Sequence, residues 1–172
     1  MARNIEVKAR VDNIEALASK AAALADEGPI EISQDDIFFA CEGGRLKLRA
    51  LSETEGELIF YKRPDQAGPK ESFYVRSRAS EPASLCEALS LAYGRAGRVR
   101  KRRTLYLVGR TRIHLDRVAN LGDFLELEVV LSEGESSQSG IEIARYLMAQ
   151  LGVEPAQLVD GAYVDLLAER RA

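Results

Sequence analysis

Strand-length segments in which every second residue is charged or polar recur along this chain, and they limit its fold more than any other feature. Residues 4–11 put Ile5, Val7, Ala9 and Val11 on one face of an extended chain and Asn4, Glu6, Lys8 and Arg10 on the other. Residues 45–51 set Arg45, Lys47 and Arg49 opposite Leu46 and Leu48. Further on, Lys101 and Arg103 share a face, as do Arg112, His114 and Asp116. Residues 124–131 alternate Phe124, Glu126, Glu128 and Val130 with Leu125, Leu127 and Val129. A period of two belongs to strands, so sheet must dominate the fold.

Between these segments lie helix and turn signals. A cap at Asp12 or Asn13 predicts a helix of about a dozen residues, rich in Ala and Leu, that ends near Gly28-Pro29. Strands follow at 31–40 and 45–51, joined through Glu42-Gly43-Gly44, then at 57–63 and 72–78 around the loop 64–69. Pro82 opens a second helix, carrying Leu85, Ala88, Leu89 and Ala92, which Gly94 stops. Strands at 99–108, 110–115 and 124–131 come next, then a loop at 132–140 and two helices, 141–151 and 155–169. The expectation is one domain over residues 1–172, an α+β fold of about eight antiparallel strands with peripheral helices, whose sheet can close into a barrel.

Composition narrows the class. With 46% hydrophobic and 30% charged residues, a disordered, collagen-like or coiled-coil chain is excluded. No apolar run approaches the roughly 18–20 residues of a membrane span, and the opening MARNIEVKAR lacks the apolar core of a signal peptide. Cys41 and Cys86 are too few for a disulfide framework and have no metal-ligand spacing. A cytoplasmic protein with no membrane partner is expected.

The charge is unevenly spread. Residues 45–112 hold 16 Lys/Arg against 7 Asp/Glu, and the rest hold 8 against 20. A basic middle between acidic ends fits either a nucleic-acid face or a site for a compact polyanion. For any one strand, the charged side can simply be the solvated side of a half-buried sheet. Taken together, the apolar faces need cover, which the helices supply; if the sheet closes, the charged faces line a lumen. Lys and Arg gathered there would repel one another unless a polyanion were bound. The acids Glu6, Glu126 and Glu128 suit a hard cation such as Mg²⁺, which bridges carboxylate and phosphate oxygens. The basic run 95–103 by itself looks like a nucleic-acid patch, but alternation sends Lys101 and Arg103 inward and leaves Arg100 and Arg102 outside. No aromatics interleave for base stacking, so no nucleic-acid partner is expected.

Six segments in order resemble the strand motifs of the CYTH superfamily, which includes class IV adenylate cyclases and thiamine triphosphatases and is also called the triphosphate tunnel metalloenzymes. They are Asn4-Ile5-Glu6-Val7-Lys8, Leu46-Lys47-Leu48-Arg49, Val99-Arg100-Lys101-Arg102-Arg103, Ile113-His114-Leu115-Asp116, Leu121-Gly122-Asp123-Phe124-Leu125-Glu126-Leu127-Glu128 and Tyr163-Val164-Asp165-Leu166-Leu167. The resemblance implies an eight-stranded antiparallel tunnel that grips a nucleoside or inorganic triphosphate and holds Mg²⁺ or Mn²⁺. It implies Lys8, Lys47, Arg49, Lys62, Lys101, Arg103 and Arg112 as triphosphate ligands. It likewise implies Glu6, Glu126, Glu128 and Asp116 as metal ligands, with Lys8, Asp116, Glu126 and Glu128 acting in catalysis. Each could instead be an ion pair within a polar lumen.

The chain departs from the family at its first motif, usually Glu-x-Glu-x-Lys, where Asn4 replaces the first acid. That loss bears more on activation of a hydrolytic water than on cyclisation, whose nucleophile is the substrate's own 3′-OH. The resemblance therefore implies a class IV-type adenylate cyclase, making cyclic AMP and pyrophosphate from ATP. The alternatives are a triphosphatase acting on inorganic, thiamine or nucleoside triphosphate, and a binding module whose chemistry has decayed. His114 is expected to hydrogen-bond within the lumen, Cys86 to face the core, and a homodimer is left open.

Overall fold

The computed structural model describes residues 2–172, and its sheet closes. Eight antiparallel strands run β1 (Ala2–Arg10), β2 (Glu27–Phe39), β3 (Arg45–Ala50), β4 (Gly56–Lys62), β5 (Lys70–Ala79), β6 (Arg95–Val108), β7 (Thr111–Val118) and β8 (Gly122–Val130). Their order around the barrel is β5-β4-β3-β2-β6-β7-β8-β1, and β1 pairs back to β5 to close it. A two-residue strand, β9 (Leu158–Val159), pairs with β1 at Lys8 and Ala9. Closure leaves no exposed edge among the eight and gives every strand one inner and one outer face.

The outer faces make the apolar core. Helix α1 (Ile14–Leu24) begins where the Asn13 side chain accepts a hydrogen bond from the Ala16 N–H at 3.0 Å. Its Ile14, Leu17 and Ala21 pack with Val7, Ala9, Ile113, Leu115, Leu125 and Leu127. Helix α3 (Ser137–Leu151) adds Leu147 and Leu151 to that cluster and lays Gly140 against β1. A methyl group on Gly140 would come within 2.6 Å of Ile5 Cγ1, so the missing side chain sets how closely α3 approaches. Helix α2 (Pro82–Tyr93) covers Phe39 and Leu48 through Cys86, which faces the core as expected.

Helix α4 (Tyr163–Arg171) has a different task. Its Tyr163, Val164, Leu166 and Leu167 cluster with Phe38, Val99, Val118 and Phe124, residues from one end of β2, β6, β7 and β8. The helix therefore seats against that end of the barrel.

The sequence expectation holds for all eight strands but not for several boundaries. The first helix stops at Leu24, and Gly28-Pro29 lies inside β2 at a break in register between Glu27 and Ile30. Gly28 has φ +113°, and a Cβ there would sit 2.7 Å from the Leu105 carbonyl oxygen, which is why glycine stands at this irregularity. The expected helix over 155–169 is instead a 3₁₀ turn (Pro155–Gln157), strand β9 and then α4, because the turn's segment pairs with β1 before the chain bends at Gly161. The third helix starts at Ser137, inside the stretch read as loop, with Ser136 as its cap. Among the described residues no helix is long and apolar enough to cross a membrane.

Candidate active site

The inner faces enclose a cavity of about 330 Å³. Strand register sets its charges beside one another. On β1 and β8, Glu6 lies opposite Glu128 and Lys8 opposite Glu126; on β7, Arg112 and His114 lie opposite Glu128 and Glu126. Lys47 and Arg49 of β3 and Lys101 and Arg103 of β6 line the same cavity, and Arg103 reaches Glu126. Such a density of buried charge persists only where each group has a partner.

Two buried acids hold the basic wall. Asp36, 1% exposed, accepts from Lys47 Nζ at 2.7 Å and from Arg49 Nε and Nη2 at 2.8 Å each. Asp116, fully buried, accepts from Arg103 Nε at 2.6 Å and Nη2 at 2.7 Å, and from the Tyr163 hydroxyl at 2.8 Å. Lys101 Nζ stands 3.7 Å from the same carboxylate. Burial alone would raise both carboxyl pKa values, but Lys47 and Arg49 at one, and Arg103 and Lys101 at the other, hold them well below the usual carboxylate range. Burial, with Arg103 beside it, brings the Lys101 ammonium down to about 7.

The acidic wall is also contacted by cations. Glu126 lies 3.5 Å from Lys8 Nζ, 3.2 Å from Arg103 Nη2 and 3.4 Å from His114 Nδ1. Burial pushes its pKa up, yet the His114 hydrogen bond, Lys8 and Arg103 together hold it low. Glu128 accepts from Arg112 Nε at 2.9 Å. Glu6 faces Arg63 Nε at 2.7 Å, and burial together with Glu126 pushes its carboxyl pKa up. Burial and Arg103 lower the His114 pKa, which keeps the imidazole neutral near pH 7.

One group could hold a cation. Ligand atoms of His114, Glu126 and Glu128 all lie within 4.8 Å of one another. On neighbouring β1, Asn4 is 3% exposed, lines the cavity, and its Oδ1 has no hydrogen-bond partner among the described residues. Two carboxylates, an imidazole and an unsatisfied amide oxygen are a donor set that fits a divalent metal.

Tyr163 closes the α4 end. Lys8 Nζ sits 4.0 Å and Lys101 Nζ 4.9 Å from its ring centroid, so the one ring steadies two amines, from β1 and from β6. Exposed Arg76 lines the cavity away from α4.

Set against the sequence expectations, Lys8, Lys47, Arg49, Lys101, Arg103, Arg112, Glu6, Glu126 and Glu128 all line the cavity. Lys62 does not: β4 turns Ile59 and Tyr61 inward, so Lys62 is exposed on the outer face, and buried Arg63 just past the strand takes the inner position. Asp116 lies behind the lining, clasped by Arg103 and Tyr163 and outside the cation-compatible group, so it holds the basic wall and does not join the metal set. His114 hydrogen-bonds to Glu126 as expected. Sequence reasoning missed Asp36, Arg63, Tyr61 and Tyr163. Alternation carried a signal for Asp36, which shares an inward face of β2 with Ile32, Gln34 and Phe38, and for Tyr61 and Arg63, which share one with Ile59; Tyr163 opens the last of the six motifs.

Fold and lining together describe a closed barrel whose lumen is lined by basic side chains and by a cation-compatible group. The CYTH domain matches residues 2–163, so the chain belongs to the CYTH family. Adenylate cyclase CyaB of Aeromonas hydrophila is 28% identical over 167 residues, covering 92% of this chain and 85% of that protein. The solved structure of the PH1012 protein of Pyrococcus horikoshii is 26% identical with a TM-score of 0.83, covering 95% of this chain and 98% of that one. A Hippeastrum protein described as having a dominant triphosphatase activity shares the fold at 13% identity and a TM-score of 0.64, with 99% and 96% covered.

Proposed function

We propose that the protein is a metal-dependent enzyme acting on a triphosphate, and that its reaction is the class IV-type cyclase one: ATP to 3′,5′-cyclic AMP and pyrophosphate. Members of the CYTH family act on triphosphates and depend on metal. The observation that carries the reading is the charge lining one lumen, where Lys47, Arg49, Lys101 and Arg103 share a cavity with Glu6, Glu126 and Glu128. The bases bind the phosphate chain and then the leaving pyrophosphate, as the 3′-OH gives up its proton to solvent, its oxygen bonds to the α-phosphorus, and the bond from that phosphorus to the bridging oxygen of the pyrophosphate breaks. A divalent cation held by Glu126 and Glu128 would neutralise charge on the phosphoryl oxygens as a Lewis acid.

Two features favour cyclisation over hydrolysis. The relative named as an adenylate cyclase aligns over most of the chain. A neutral amide stands at Asn4, where an acid could have activated a water, and Glu6 is already engaged by Arg63. Triphosphate hydrolysis is the second reading, because a protein of the same fold is described with that activity.

Product analysis separates them. Purified protein is incubated with ATP and, separately, tripolyphosphate, each with Mg²⁺ and with Mn²⁺, and the products are resolved by chromatography. Cyclic AMP with pyrophosphate is expected from ATP. Orthophosphate with ADP, or with pyrophosphate from tripolyphosphate, would move the function to hydrolysis. Binding without any product would leave a different triphosphate substrate or the binding module.

The depressed Lys101 pKa predicts a pH signature of binding. Above pH 7 the empty lumen holds a neutral amine at Lys101, and a polyanion draws a proton back onto it. Metal-free ATP binding should therefore take up close to one proton at about pH 8, and affinity should fall as pH rises, by up to about tenfold per pH unit. Calorimetry in buffers of different ionisation enthalpy reads the uptake directly. Lys101→Met should lose it; an unchanged uptake would remove Lys101 from the binding wall.

A further inference from the structure

We propose that His114 is the nitrogen ligand of the tunnel cation and that it tilts the site toward Mn²⁺ over Mg²⁺; the inference rests on the reading of the tunnel as a metal-dependent triphosphate site. Its Nδ1 lies 3.4 Å from Glu126 Oε1 and 4.0 Å from Glu128 Oε1. Donor atoms bound to one octahedral cation at about 2.1–2.2 Å stand roughly 3–4 Å apart, so His114 Nδ1 already has ligand spacing to both carboxylates, whose own ligand atoms lie within 4.8 Å of each other.

The backbone holds that spacing. His114 is the direct cross-strand partner of Glu126, and Glu126 and Glu128 project from the same face of β8 two residues apart. A ligand set mounted on paired strands of a closed barrel is held more firmly than one on loops. The imidazole is 4% exposed, so it meets the cavity and not bulk solvent. On the adjoining strand, the buried Asn4 Oδ1 has no hydrogen-bond partner among the described residues and lines the same cavity.

The chemical consequence follows from the donor type. Mg²⁺ prefers oxygen alone and keeps its waters, whereas Mn²⁺ accepts imidazole readily. Replacing one oxygen ligand with nitrogen therefore narrows the range of useful cations without adding charge.

His114 is the only histidine in the chain, so selective labelling is unambiguous. Tag-free protein is loaded with Mn²⁺ alone and examined by pulsed electron paramagnetic resonance, once with natural histidine and once with ¹⁵N-histidine. The expected result is nitrogen modulation that changes from the ¹⁴N to the ¹⁵N pattern. In His114→Gln, checked for wild-type melting, the modulation should vanish and the Mn²⁺/Mg²⁺ affinity ratio should fall about tenfold. Bound Mn²⁺ whose spectrum ignores the label would overturn the role of His114 while leaving a metal in the tunnel. Absence of any stoichiometric Mn²⁺ site in the wild type would overturn the metal reading, and this inference with it.

Discussion

Glu126→Gln will cut metal-dependent turnover by about 100- to 1,000-fold while the barrel stays folded. Glu126 is where both walls meet, with Lys8, Arg103 and His114 all within 3.5 Å of its carboxylate. Glutamine keeps the volume and an oxygen but removes the negative charge that balances those groups and draws in the cation. Metal affinity measured by calorimetry should fall with turnover, whereas the far-ultraviolet circular dichroism spectrum should not change. Turnover retained to within threefold, with either Mg²⁺ or Mn²⁺, would show that this carboxylate does not hold the catalytic metal. Glu126→Ala with Glu128→Ala should give complete loss, because it removes both carboxylates of the cation-compatible group.

The largest loss of stability is expected at Asp116. Asp116→Ala leaves Arg103 without its paired acceptor, the Tyr163 hydroxyl without its partner and Lys101 without its nearest carboxylate, all in buried surroundings. Breaking a buried ion pair by removing one member costs about 3–5 kcal/mol, much of it the penalty on the cations left behind. Urea denaturation measures this loss, and a loss under about 1 kcal/mol would show the pair to be solvated. Lys62→Ala is the matching control; exposed on the outer face, it should stay within about 0.5 kcal/mol. The same carboxylates bear on acid stability. Asp36 and Asp116 both have folded pKa values below their unfolded ones, so their contribution is complete above about pH 4 and is lost as pH falls further.

Much of the barrel could be read from the chain because alternation reports directly on which residues share a face. Glu126 and Glu128, or Lys101 and Arg103, announce themselves by spacing alone. What alternation does not report is which strand lies across from which. Asp116 was legible as an inward residue, but its partner depends on the pairing of Arg103 with Asp116 across β6 and β7. That register turns a candidate metal ligand into the anchor of an arginine. Lys62 and Arg63 show that the alternation itself was legible: Ile59, Tyr61 and Arg63 turn inward at every second position, which leaves Lys62 outside. The C-terminal segment shows a second limit. Apolar residues over 155–169 suggested one long helix, but a two-residue pairing with β1 takes part of them, and Tyr163 reaches the lumen only because the helix starts after that pairing.

The way the barrel closes also bears on how the chain reaches its folded state. Strand β1 pairs Asn4 with Val130 on one side and with Ser72 on the other, so both seams join residues far apart in sequence. Ordering such distant partners costs loop entropy before any contact offsets it, which favours slow, highly cooperative folding. Glu6 and Lys8 are carried on that strand, and Glu126 and Glu128 on the neighbour it must find. The acidic wall is therefore assembled by the same event that shuts the barrel, and a cation added during refolding should bind in step with the final, slowest phase.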